Sequence, residues 1–211
     1  MEKGRFISVE GIDGSGKSIL SSRLVQWLEE KGYPAILTRE PGGTPVGEMI
    51  RHIVLDVKDA PISPMTEMLL FAASRAQHVA QVIAPALEKG HIVLCDRYVD
   101  SSIVYQGAAR GLGDEDVMAV NLLAVGGLMP ELTLFLDIGL DEAVRRQQGR
   151  PEKADRLDQE AMEFHRGGQK AYYRLLKTYP DRIVRIDGEK SPDEVFSEAV
   201  EVVTRLLKSD N

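Results

Sequence analysis

The sequence predicts an α/β fold: one domain over all 211 residues, built on a parallel sheet with helices on both faces. Three observations predict it. Five short apolar runs, at residues 6–9, 35–37, 92–95, 132–136 and 183–186, are rich in Val, Ile, Leu or Phe and read as strands buried on both sides. Stretches with a helical period lie between them, the alternation expected of strands joined by crossover helices. No repeat, low-complexity tract or Pro/Gly/Ser-rich linker divides the chain.

Taken in order, FISV is the first strand, followed directly by GIDGSGKS (residues 11–18) and the helical pattern ILSSRLVQWLEE. The second run ends in TREPGG. The longest helix is expected over residues 64–89, where Met68, Phe71, Ala72, Val79, Val82, Ile83, Ala86 and Leu87 fall near a 3.6-residue period and Gly90 supplies a stop. The third run ends in DRY and leads into DSSIVYQGAARG. Between the fourth and fifth runs, QQGRPEKADRLD (residues 147–158) loses apolar periodicity and gains charge, as a mobile flap or a surface loop does. The last helix carries its own start signal: Ser191 to cap, Pro192 at the first position and Glu194 three residues after the serine.

A hydrophobic share of 43% and a charged share of 28% are ordinary for a soluble globular chain. No segment approaches the roughly 20 continuous apolar residues of a membrane span. The N-terminal MEKGRFISVEG has no apolar core or cleavage site of a signal peptide, so a cytoplasmic location is expected. The single cysteine, Cys95, rules out an internal disulfide or a cysteine-cluster metal site, and its place in HIVLC fits a small buried hydrophobe. A net charge of -7 argues against nonspecific nucleic-acid binding, so an anionic ligand must be met by locally placed arginines. The histidines at 52, 78, 91 and 165 form no i,i+4 pair and suggest neither a metal site nor a Ser-His-Asp set.

Gly11, Gly16, Lys17 and Ser18 match G-x-x-x-x-G-K-[ST], in the strand-loop-helix context that the motif requires. The loop Gly11-Ile12-Asp13-Gly14-Ser15-Gly16-Lys17-Ser18 can turn backbone N–H groups around a polyanion, with Lys17 reaching β/γ-phosphates and Ser18 offering a hydroxyl to Mg²⁺. This predicts a P-loop nucleotide-binding protein and leaves GTPase, ATPase, motor and small-molecule kinase open. Asp13 is the anomaly, a carboxylate in the middle of an anion site.

In an open parallel sheet, ligands bind beyond the carboxyl ends of the strands, so the residue after each apolar run is informative. Arg39 in TREPGG and Arg97 in DRY stand there, and two arginines on the side of the phosphate loop can clamp a second phosphate. Asp96 follows its strand as the Mg²⁺-holding acid of phosphate-loop enzymes does. Arg97 takes the place where a helicase or rotary ATPase usually has a second acid, and no N-K-x-D element for guanine is present. Both features favour a small kinase whose acceptor also carries a phosphate. Phe71 and Arg75 in FAASRAQH share a helix face, an aromatic plane beside a forked donor, and a buried Arg75 requires a ligand or a buried carboxylate. Ser102, Tyr105 and Gln106 offer hydroxyl and amide groups suited to polar edges. Arg145, Arg146, Arg150 and Arg156 lie in or just before the irregular segment, where a lid could bring cations to the charge of a loose phosphoryl-transfer transition state.

EGIDGSGKS, TREPGGT, FAASRAQH, DRYVDSSIVYQGAARG and the arginine-bearing stretch ending DRLDQE together resemble the bacterial thymidylate kinases in order and spacing, from about residue 5 to about residue 190. The resemblance implies a nucleoside-monophosphate-kinase fold with a five-stranded parallel sheet and a lid at about 145–158, usually in a homodimer. It implies transfer from MgATP to dTMP, giving ADP and dTDP, a step toward dTTP. By the same matching, Phe71 would stack on thymine and Arg75 would bond a thymine carbonyl, with Ser102 and Gln106 at the base. Tyr105 would lie near the sugar C2′ position, Arg39 and Arg97 on the dTMP phosphate, Arg51 near the acceptor pocket, and Asp13 near the 3′-hydroxyl. Relatives with glycine at the position of Gly14 place the catalytic arginine in the lid. The resemblance thus implies Lys17, Asp96, Arg97, Arg150 and Arg156 as the catalytic set, with Arg146 facing the donor, and leaves open which of Arg146, Arg150 and Arg156 reaches the transferred phosphoryl. The competing readings are a kinase for another pyrimidine nucleotide or a nucleoside, and a nucleotide-binding regulator.

Overall fold

The computed structural model describes residues 4–57, 61–148, 156–157, 160 and 162–208. Each apolar run becomes a strand: β1 (Arg5–Glu10), β2 (Ala35–Arg39), β3 (Ile92–Asp96), β4 (Leu132–Asp137) and β5 (Ile183–Asp187). All pair in parallel, in the order β2-β3-β1-β4-β5. Because β3 and β4 flank β1, the chain leaves the central strand in opposite directions, which opens a crevice beyond its carboxyl end. Val9 and Arg39 both register with Asp96, so the loops after β1, β2 and β3 emerge together.

The connecting helices are α1 (Lys17–Glu30), α2 (Pro45–Leu55), α3 (Pro64–His78), α4 (Ala84–Glu88), α5 (Val99–Ser102), α6 (Asp114–Val125), α7 (Leu140–Gln148), α8 (Met162–Thr178) and α9 (Pro192–Lys208). Leu20, Leu24 and Leu28, four residues apart on α1, join Val195, Ala199, Val202 and Val203 of α9 over one sheet face. That face is apolar throughout, with Ile7 and Val9, Ile92 and Leu94, and Leu132, Leu134 and Leu136 pointing into it. The period-2 alternation of the strands sends Phe6, Val93, Cys95 and Phe135 to the opposite face, beside Phe164, Tyr172 and Leu175 of α8. Ser8, Glu10 and Thr133 share that parity and are fully or almost fully buried, so this second face carries the polar groups that lead to the crevice.

The helix expected over residues 64–89 is interrupted. A π-helical stretch, Val79–Ile83, separates α3 from α4, and Pro85 stands in the first turn that follows. Proline has no N–H to give and its ring crowds the preceding turn, so a widened turn before it relieves the clash. A second π-helical stretch, Ile103–Ala109, continues α5. Gly90 ends the first assembly at φ +80°, as its stop role requires. The start signal of α9 is formed: Glu194 Oε2 accepts from Ser191 N at 3.0 Å, and Glu194 N donates to Ser191 Oγ at 3.4 Å. Among the described residues no helix is long and apolar enough to cross a membrane.

Candidate active site

The phosphate loop joins β1 to α1 and turns through glycines at positive φ, Gly11 (+146°), Gly14 (+89°) and Gly16 (+94°). A Cβ on Gly14 would stand 2.6 Å from the carbonyl oxygen of Ala143, so the loop packs directly on the backbone of α7, and any side chain there would push the two apart. Lys17 Nζ donates to Ile12 O at 3.0 Å and lies 3.9 Å from Asp13. Burial, and then the neighbouring Arg97 charge, lower its pKa to about 8. Ser18 Oγ donates to Asp96 Oδ2 at 2.7 Å, which ties the loop to the end of β3. A groove on the α7 side of the loop is lined by Ser15, Gly16, Arg146 and the turn Glu189–Ser191.

On the other side of Asp13 opens a cleft of about 690 Å³ including its mouth, lined by Arg51, Phe71, Arg75, Arg97, Ser102, Tyr105 and Gln106 among others. Its lining mixes apolar walls with a few fixed polar groups, as small-molecule sites do. Asp13 faces this cleft and accepts from Arg97 Nη2 at 2.7 Å. The carboxylate in the anion loop thus has a cation of its own and is turned from the loop's interior. Arg97, at φ +71°, also donates to Ser101 Oγ at 3.1 Å and lies over the Tyr105 ring, 5.3 Å from its centre. Burial pushes the Tyr105 hydroxyl up to about 12, which keeps it a neutral donor.

Arg75 is 2% exposed and meets the condition set by its sequence environment. Its Nε donates to Glu40 Oε2 at 2.6 Å, Nη1 to Ser102 Oγ at 3.0 Å and to Asn121 Oδ1, and Nη2 to Tyr98 O at 3.1 Å. A guanidinium has five N–H groups, so one donor on Nη2 is left for the cleft. Phe71 lies against Val54 and Leu55 of α2 and forms the cleft's aromatic wall. Gln106 Nε2 donates to the buried Glu67 at 3.0 Å, and Arg51 Nη1 donates to Pro41 O at 2.9 Å.

Two expected arginines lie elsewhere. Arg39 stands at the end of β2 as expected, but its guanidinium turns to Glu48, with both oxygens at 3.0 Å from Nη2, and lines a neighbouring groove with Ser18 and Asp96. It does not join Arg97 in the cleft, because Glu48 of α2 offers a bidentate partner within reach. Arg156 ion-pairs with Glu67, which also holds Gln106, and donates from Nε to Val54 O at 2.8 Å, which places it behind the Gln106 end of the cleft and not at the phosphate loop. The adjacent Leu157 packs into the Phe71 cluster. Arg146, held by Glu142 at 2.6 Å, lines the groove on the α7 side of the phosphate loop, as does Arg145. Arg150 lies outside the described residues, as does most of the segment 147–158.

The thymidylate kinase family profile matches residues 9–199. The thymidylate kinase of Halalkalibacterium halodurans is 46% identical over 211 residues, covering 98% of this chain and 99% of its own. That of Caldanaerobacter subterraneus subsp. tengcongensis is 49% identical over 206 residues, with 98% of both chains covered. The crystal structure of thymidylate kinase from Ehrlichia chaffeensis superposes with a TM-score of 0.79 at 31% identity, over 96% of this chain and 99% of that one. The chain belongs to the thymidylate kinase family.

The residues that sequence reasoning missed in this family member are acids. Glu40 partners Arg75 and accepts from His78 Nδ1 at 2.9 Å, and His78 Nε2 lies 2.6 Å from Thr38 Oγ1. Glu67 gathers Gln106, Arg110 and Arg156. Glu10 is buried at the end of β1 and accepts from Tyr98 N, Ser101 Oγ and Tyr172 Oη at 2.6–2.8 Å. Burial, and then the Asp100 charge, push its carboxyl up to about 7. The signal for Glu10 and Glu40 was present, since both occupy the strand-end positions that identified Arg39 and Arg97.

Proposed function

We propose that this chain transfers the terminal phosphoryl group of MgATP to the phosphate of dTMP, giving ADP and dTDP on the route to dTTP. An oxygen of the dTMP phosphate forms the new P–O bond as the bond from the γ-phosphorus to the β–γ bridging oxygen of ATP breaks. The attacking oxygen is already anionic, so placement and charge neutralisation carry the catalysis and no strong base is needed. The observation that carries this reading is Asp13: a residue of the phosphate loop faces the second cleft and pairs there with Arg97, which joins a donor site to an acceptor site through one contact.

In this reading the loop, Lys17 and Arg146 receive the donor. Arg97 meets the dTMP phosphate, Arg51 assists it, Phe71 stacks on thymine, and the remaining N–H of Arg75, with Ser102 and Gln106, reads the base. Tyr105 lies by the sugar. Ser18 and Asp96 fit Mg²⁺, because a hydroxyl and a carboxylate 2.7 Å apart are hard oxygen donors that leave the other positions to waters and phosphates. When bound, the ion neutralises charge on the donor's phosphates. A cytoplasmic homodimer belongs to the same proposal. Exposed apolar side chains on three neighbouring helices, Val46, Met49 and Ile53 of α2, Met65 and Leu69 of α3 and Leu123 of α6, support a dimer face, and sedimentation velocity at micromolar concentration tests it.

The deciding experiment is ADP release measured with dTMP, dUMP, UMP, CMP and thymidine as acceptors. Turnover with dTMP well above the rest is the expected result. Preference for thymidine would make the chain a nucleoside kinase, and no acceptor-dependent turnover would make it a nucleotide-binding regulator.

A further inference from the structure

Arg97 is the one described residue other than glycine with positive φ, at +71°. For a residue with a side chain this conformation costs on the order of 1 kcal/mol and persists only where its surroundings fix it. Its neighbours on both sides of the peptide are accounted for. Arg97 N donates to Val9 O at 3.0 Å, and Arg97 O accepts from Cys95 Sγ at 3.0 Å. The next N–H, that of Tyr98, donates to Glu10 Oε1 at 2.7 Å. The side chain is held from the same source: Arg97 Nη1 donates to Ser101 Oγ, whose own hydrogen goes to Glu10 Oε2 at 2.6 Å. Tyr172 Oη donates to that oxygen as well, at 2.8 Å, and stands 3.2 Å from Ser101 Oγ, so the two hydroxyls and the Glu10 carboxylate form one cluster beneath Arg97.

We propose that Glu10 is a positioning residue for the acceptor phosphate: it fixes the left-handed backbone of Arg97 through Tyr98 N and aims the guanidinium through the Ser101 hydroxyl. It touches neither substrate. The inference rests on the reading of Arg97 as the dTMP-phosphate arginine. A carboxylate accepts from all three donors at once, whereas glutamine that keeps its oxygen on the Tyr98 N–H must turn its NH₂ to the two hydroxyls, which then accept instead of donate and lose the charge-assisted bond that orients Ser101.

The test compares Glu10→Gln, Ser101→Ala and Arg97→Ala in the full chain at pH 8, with equilibrium binding of dTMP and of ATP measured separately from kcat. Glu10→Gln is expected to weaken dTMP binding about tenfold to a hundredfold, the loss typical of a hydrogen bond to a charged group, while ATP binding changes less than about threefold. Ser101→Ala, which keeps the Tyr98 contact and removes only the bridge, is expected to give a smaller loss of the same kind and supplies the answer if Glu10→Gln does not fold. A merely structural glutamate would lower the active fraction and leave the two affinities in proportion, which would overturn the proposal. If Arg97→Ala weakens dTMP and neither other variant does, Glu10 has no positioning role and the reading of Arg97 stands. If Arg97→Ala itself leaves dTMP binding unchanged, both fall.

Discussion

Glu40 and Arg75 form an ion pair whose side chains are each 2% exposed, and replacing Glu40 with glutamine tests what that pair contributes. The carboxylate accepts from Arg75 Nε at 2.6 Å and from His78 Nδ1 at 2.9 Å, so the substitution removes the charge from two short contacts without creating a void. Breaking a buried pair from one side typically costs about 3–5 kcal/mol, because the surviving charge remains desolvated. Glutamine retains one acceptor, and Arg75 keeps Ser102, Asn121 and the Tyr98 carbonyl, so the low end applies, about 3 kcal/mol. In a chain of this length that lowers Tm by about 6–12 °C. Urea unfolding of wild type, Glu40→Gln, Arg75→Met and the double variant measures it, with an unchanged slope confirming a stability effect. The double variant should lose much less than the sum of the single losses, since neither charge is then stranded. Additive losses, or a Glu40→Gln loss below about 1 kcal/mol, would refute the pairing argument.

Asp13→Ala should weaken dTMP binding far more than ATP binding, because Asp13 faces the acceptor cleft and fixes Arg97; equal losses would show that it mainly shapes the loop. Arg156→Ala should raise the KM for dTMP and lower stability by about 1 kcal/mol, because the buried Glu67 loses one cation but keeps Arg110 and Gln106, while kcat falls less than tenfold. A kcat loss of several powers of ten with KM unchanged would show instead that Arg156 leaves Glu67 to reach the transferred phosphoryl. Glu10, raised from 4.5 to about 7, gives the stability profile a defined sign. Between those values the folded state binds the extra proton, so the contribution is complete below pH 4.5 and is lost as pH rises through 7, by at most about 3 kcal/mol. Glu10→Gln should flatten that limb in urea-unfolding midpoints recorded from pH 4.5 to 8, and an unchanged slope would place the proton elsewhere.

The sheet was legible because its strands are apolar on both faces, and a run such as IVLC admits few other readings. The interruption of the long helix was not, since a periodic pattern over 26 positions registers one inserted residue weakly; Pro85 was the visible cause, and its effect lies a turn upstream of itself. The phosphate loop was legible from its spacing, and a buried Arg75 called for a ligand or a buried carboxylate, of which the structure supplies the carboxylate. Glu40 had a visible signal as a strand-end acid, but its pairing with Arg75 was not legible, because the two lie 35 positions apart and meet only through tertiary packing.

Arg39 and Arg156 show the same limit from the cation's side. A strand end or a charged loop fixes where an arginine's backbone stands, but its guanidinium reaches several ångströms farther and goes to the best acceptor in range. For Arg39 that acceptor is Glu48, on a helix whose orientation the sequence does not state; for Arg156 it is Glu67, fully buried and already holding Arg110. Arg97 differs because its acceptors, Asp13 and Ser101, are themselves held by the phosphate loop and by Glu10. Arg97, which stays in the cleft, is therefore the arginine whose acceptors are fixed in turn by the phosphate loop and by a strand-end carboxylate. An acceptor-site arginine in this fold is best sought by finding the buried carboxylates at the strand ends first and asking which cation they leave aimed at the crevice.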